Sequence, residues 1–97
     1  MAIINKESSG VQTGNALIYT GKCWYYGFTC ETGGSNRTVD IYDNTSATGK
    51  QVENFTADAN KTMDGHSHAI PVKCANGLYL ALSAGNVIVY FKPIGME

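Results

Sequence analysis

The residues with the clearest capacity for chemistry are Asp64, His66 and His68, set two apart in the run Asp64-Gly65-His66-Ser67-His68. Alternate side chains of an extended segment share a face. The spacing therefore aims three donor groups in one direction, and imidazole suits zinc, iron, copper or nickel. His66 and His68 alone make an incomplete set, because a structural zinc takes four ligands. Across an oligomer axis the set would be completed: one pair from each of three chains supplies an octahedron of nitrogens suited to iron. The plainer alternative is a polar loop with two exposed histidines.

No other constellation points to a reaction. Gly10-Val11-Gln12-Thr13-Gly14 lacks the Lys-Ser/Thr that a phosphate loop needs. No Gly-x-Ser-x-Gly elbow is present. The carboxylates Glu31, Asp40, Asp43, Glu53, Asp58 and Asp64 fall beside turns or at outward positions, which reads as solvated surface. The chain is not expected to be an enzyme, and no catalytic residue or cofactor is assigned. Trp24, Tyr25, Tyr26 and Tyr42 could line a sugar-binding face, because flat rings cover apolar sugar faces. Alternation makes Trp24 and Tyr26 the core candidates and leaves Tyr25 and Tyr42 for interface or ligand contact.

The elements that must position these groups are strands. Turn signals recur every 8–12 residues, the spacing of a sandwich or barrel. Cys23-Trp24-Tyr25-Tyr26-Gly27-Phe28-Thr29-Cys30 is aromatic and strongly β-favouring. Strict alternation puts Trp24, Tyr26, Phe28 and Cys30 on one face and Cys23 on the other, and Gly27 marks a bulge or a close neighbour. Arg37–Tyr42 alternates with Val39 and Ile41 inward. In Lys50–Phe55, Val52 and Phe55 face oppositely unless a bulge intervenes. His66–Val72 is extended, and Pro71 places it at a sheet edge or a break. Leu78–Ser83 alternates with three leucines on one face, and Asn86–Lys92, apolar on both faces, reads as central. The Gly-containing turn between these last two segments predicts a hairpin. The expected fold is all-β, an antiparallel β-sandwich of seven to eight strands with the jelly roll as one form of it. Residues 1–12 read as an extended N-terminal arm and 13–97 as the single sandwich domain.

Seven basic and eight acidic residues are scattered along the chain, with no basic stripe, so nucleic acid is not an expected partner. No segment has the roughly 18 continuous apolar residues of a membrane span, and the first residues lack a basic region followed by an apolar run, so a secretory leader is expected to be absent or already removed. Charged residues are 15% of the chain, against about 25% in an ordinary soluble domain. That deficit suits a surface that packs against other surfaces and, equally, an ordinary β-protein with polar turns. The cysteines Cys23, Cys30 and Cys74 are odd in number and lack Cys-x-x-Cys spacing, so they read as reduced packing residues. A bridge from Cys74 to Cys23 or Cys30 stays open.

Two stretches carry a resemblance. Val39-Asp40-Ile41-Tyr42-Asp43-Asn44-Thr45-Ser46-Ala47-Thr48-Gly49 resembles a strand-and-loop pattern, and Ala75-Asn76-Gly77-Leu78-Tyr79-Leu80 followed by Val87-Ile88-Val89-Tyr90-Phe91 resembles its C-terminal partner. Together they look like small virion proteins of tailed bacteriophages, of the head-decoration or tail-associated kind. The resemblance implies a jelly-roll-like sandwich that acts by binding. It implies a capsid decoration or cement protein that stabilises the head between capsid subunits. A tail-tip or fibre-associated module, or a carbohydrate-binding module, is the alternative. Implied with it are a homo-oligomer, a major capsid protein or tail proteins as partners, synthesis in the host cytoplasm and location in the virion. Ile3 and Ile4 in the arm are the residues expected to reach a neighbour.

Overall fold

The computed structural model describes residues 7–31, 36–59, 64–83 and 85–94, with Ala57 and Asp64 described in backbone only. The strands are β1 (Glu7–Ser8), β2 (Ala16–Thr20), β3 (Cys23–Glu31), β4 (Arg37–Asp43), β5 (Lys50–Ala57), β6 (Asp64–Cys74), β7 (Gly77–Leu82) and β8 (Asn86–Pro93). They form two four-stranded sheets, ordered β1-β8-β3-β6 and β2-β7-β4-β5. Every pairing is antiparallel.

The order has a simple logic. β4 pairs with β5, β3 with β6, β2 with β7 and β1 with β8. The chain is thus one long antiparallel ribbon folded back at the 44–49 loop, and successive rungs of the ribbon alternate between the two sheets. Rolled this way, eight strands make the double-sheet jelly roll. Among the described residues no helix is long and apolar enough to cross a membrane.

The expected hairpin of Leu78–Ser83 with Asn86–Lys92 does not form. β7 pairs with β2 and β4, while β8 pairs with β1 and β3. The turn between them carries the chain from one sheet to the other. Leu78, Leu80 and Leu82 therefore face Val87, Val89 and Phe91 across the core instead of lying beside them, and all six are buried. A short Gly-containing turn serves an inter-sheet crossing as well as a hairpin, so local sequence does not separate the two.

The two faces of β3 also exchange partway along. Its register against both neighbours shifts between Tyr25 and Gly27. One extra residue at a bulge reverses which side chains point inward. Cys23 and Tyr25 face the core before the bulge, and Phe28 and Cys30 face it afterwards. Tyr25, expected outside, is fully buried, whereas Trp24 and Tyr26 are half-buried. Cys23 and Cys30, expected on opposite faces, both line the core. All three cysteines are free and buried. Fully burying a side chain of the size of Phe28, Ile41, Leu78 or Leu80 contributes about 1.5–3 kcal/mol.

A second bulge lies on β5. Ile41 stands opposite Glu53 and Tyr42 opposite Gln51, which leaves Val52 as the extra residue. Val52 and Phe55 consequently both pack against the core. Tyr42 is half-buried on the outer face of β4, as alternation predicts. At the N-terminus, Glu7 and Ser8 pair with Phe91 and Tyr90, and Gln12 bridges to Val87. This half of the arm is thus the outer edge of its own sheet. Ile3 and Ile4 lie outside the described residues.

Candidate metal centre

β6 is an edge strand, as Pro71 suggests, and its path is irregular. Opposite β3, Tyr25 aligns with Val72 and Gly27 with Ser67. Five steps along β6 thus match two along β3, and the residues from His68 to Pro71 bow out of the ladder. Ile70 is 85% exposed at this bow. Gly65 and Gly27 hold the strands together just beyond it, since a Cβ on either would collide with the other strand's backbone.

His66 and His68 project to the same side, with ring centroids 4.4 Å apart, as their spacing predicts. What they meet is Glu53, on β5 of the opposite sheet. His66 Nδ1 lies 2.9 Å from Glu53 Oε2, and His68 Nε2 lies 2.9 Å from Glu53 Oε1. The buried Tyr25 hydroxyl donates to Glu53 Oε1 at 3.0 Å, and the Tyr25 ring packs against His68 at 5.4 Å between centroids. Glu53 is thus the hub of a cluster that ties β5 of one sheet to β3 and β6 of the other.

Glu53 is 8% exposed, His68 20% and His66 50%, so the cluster is buried on the carboxylate side and reaches solvent through His66. Burial alone would push the Glu53 carboxyl up. The hydrogen bonds from His66, His68 and Tyr25 outweigh it and hold the group below its ordinary value. Burial, reinforced by the adjacent carboxylate, pushes the Tyr25 phenol far up, so it stays a neutral donor.

One ligand atom each from Glu53, His66 and His68 lies within 4.8 Å of the others. A carboxylate of the same chain joins the histidine pair, and no axis is needed to bring a third donor. The side chain of Asp64, the other expected member, is not among those described. The sequence reads Glu53 as solvated surface, whereas the fold buries it. The signal for it is Phe55, two residues on: a strand that turns Phe55 inward turns Glu53 inward with it.

Asp43, also read as surface, is buried and structural. Its two oxygens accept from the backbone N–H groups of Ala75 and Asn76 at 3.1 and 2.8 Å, which fixes the turn before β7. Beside His66, a groove of about 340 Å³ runs past Tyr26, Gly27, Ser67 and Tyr90. Cys23 and Cys74 are directly opposed on β3 and β6, and their thiols are hydrogen-bonded. That bond and burial push the Cys74 thiol up.

Fold and site define the class as a jelly-roll β-sandwich with a carboxylate–histidine cluster bridging its sheets. No family model, curated protein or solved structure matches the chain.

Proposed function

We propose that the protein is a structural subunit that works by binding, of the kind that decorates the virions of tailed bacteriophages. The observation that carries this reading is β6. It is an eleven-residue edge strand (Asp64–Cys74), paired on one side by β3 and on the other by no strand among the described residues. The open side of an edge strand is a template for another chain, and Ile70 adds an apolar side chain 85% exposed at its middle. Pro71 and the bow restrict where a partner strand can add, which favours a specific contact over open-ended aggregation. The strand order is that of a fold used by viral capsid domains, a likeness of architecture alone. The strand-and-loop resemblance in residues 39–49 and 75–91 supports the same reading. The sugar-platform alternative loses support because Tyr25, one of its two anchors, is in the core.

The test is the composition of purified virions from phage that encode the chain. Copies in fixed ratio to the major capsid protein, with heads less resistant to heat when the gene is deleted, are the expected result. Ile70→Asp should abolish particle binding while leaving the isolated chain's melting temperature unchanged. Absence of the chain from virions, or undiminished binding of the Ile70→Asp variant, would overturn the proposal. A few copies per particle together with binding to host cells would replace the decoration role with a tail role.

A further inference from the structure

We propose that Glu53, His66 and His68 bind one divalent transition-metal ion within a single chain, with zinc(II) the fitting occupant, and that the ion staples the two sheets together. The inference is independent of what the subunit assembles with.

Zinc bonds to histidine nitrogen and carboxylate oxygen are about 2.0–2.2 Å long. Donors around such an ion are therefore about 3 Å apart at right angles and about 3.4 Å apart at the tetrahedral angle. The two carboxylate-to-imidazole separations are 2.9 Å each. Each imidazole nitrogen already stands at donor spacing from one carboxylate oxygen, and the three ligand atoms lie within 4.8 Å of one another, so rotation of the side chains would gather them round one ion. Different ring atoms, Nδ1 of His66 and Nε2 of His68, reach the carboxylate from one strand, with the two ring planes inclined at 51°.

The donor set selects the ion. Two imidazoles and one carboxylate suit zinc, iron(II), cobalt(II), nickel(II) or copper(II), whereas calcium and magnesium take oxygen ligands. With neutral imidazoles the three groups carry one negative charge, so a dication is partly neutralised and a water or a partner's group completes the tetrahedron. In the metal-free chain, hydrogens on the two ring nitrogens make the bonds to Glu53. The ion displaces those hydrogens, and binding releases protons wherever the histidines were protonated.

Support for the carboxylate is already in place. Tyr25 donates to Glu53 Oε1 from within the core, the kind of outer contact that orients a ligand and sharpens affinity. His66, half-exposed, gives the ion a way in. Because β5 and β6 are the edge strands on one side of the two sheets, an ion held between them closes that side of the sandwich.

The experiment uses the full chain without an affinity tag, stripped by chelator and titrated with zinc sulfate in a calorimeter. The expected result is one zinc per chain, with the melting temperature raised by about 10–20 °C at a hundredfold excess over the dissociation constant. Cobalt(II) should give the visible absorption of a low-coordinate site with nitrogen and oxygen donors. His66→Ala, whose side chain is half in solvent, should fold normally and lose binding by more than about tenfold. Tyr25→Phe should keep the fold and weaken binding about tenfold or more. Failure of the folded native chain to bind stoichiometric zinc would overturn the proposal. So would a His66→Ala variant that binds as tightly as the native chain. A ratio of one metal to three chains would also overturn it, in favour of a site shared across an axis.

Discussion

Gly27 and Gly65 sit in reciprocal close approach on neighbouring strands. A Cβ at Gly27 would strike the His66 carbonyl oxygen, and a Cβ at Gly65 would strike the Phe28 carbonyl oxygen. Their φ angles are +131° and +146°, a region that L side chains rarely adopt. Missing side chains here let β3 and β6 close tightly just beyond the bow in β6. The closure anchors the strand that carries His66 and His68, and it coincides with the bulge that turns Tyr25 toward Glu53.

Gly27→Ala should accordingly cost about 1–3 kcal/mol from overpacking alone, with backbone strain added. For a domain of this size that is a fall of at least about 5 °C in melting temperature. Thermal and urea unfolding of the variant would measure it. A melting temperature within the error of the native one would show that β6 can move away without loss, and the anchoring role would be wrong.

The legible parts of the fold were those with strict alternation. Val39 and Ile41 point inward, as do Leu78, Leu80 and Leu82, because β4 and β7 run without a bulge where these residues lie. Pro71 correctly marked an edge. Partner choice was not legible, since eight amphipathic strands can pair in many orders and the 83–85 turn carries no mark of crossing between sheets. Alternation across Gly27 failed for a physical reason: one inserted residue inverts the faces, so Tyr25 went inward. In the site, the histidine spacing predicted their shared side. Glu53 was hidden because it comes from the opposite sheet, and only tertiary folding brings 53 to 66 and 68.

Asp43→Ala should destabilise the protein although it touches no ligand. It removes both acceptors of the Ala75 and Asn76 N–H groups, and a hydrogen bond to a charged group contributes about 1.5–3 kcal/mol. Asp43→Asn keeps one carbonyl acceptor and should recover part of the loss. Equal stability of native chain and alanine variant in urea would mean that water replaces the carboxylate.

The thiols give a prediction about reactivity. Cys23 and Cys74 are fully buried and Cys30 nearly so. A thiol reacts as its thiolate and only where reagent can reach it. The native chain should therefore resist a thiol reagent and release all three cysteines only on unfolding in denaturant. The labelling rate should follow the unfolding equilibrium measured on the same sample. Rapid modification of one equivalent in the native protein would contradict the packing of β3 against β6.

Acid should act on the metal-free chain through Glu53. Its carboxyl is held below the ordinary value in the folded state, because bonds from His66, His68 and Tyr25 outweigh the effect of burial. A depressed pKa means that the unfolded chain binds the proton more readily. The carboxylate's contribution is therefore whole above the unfolded value of about 4.3 and is lost as pH falls through the folded one. Protonation leaves the two rings, 4.4 Å apart, without the anion that both contact. Urea midpoints between pH 7 and pH 3 should fall on the acid side. In Glu53→Gln, which cannot ionise, the neutral-pH midpoint should be lower and the acid fall shallower. A variant whose pH profile runs parallel to the native one would show that other carboxylates govern the acid limb and that the Glu53 bonds to β6 add nothing to stability.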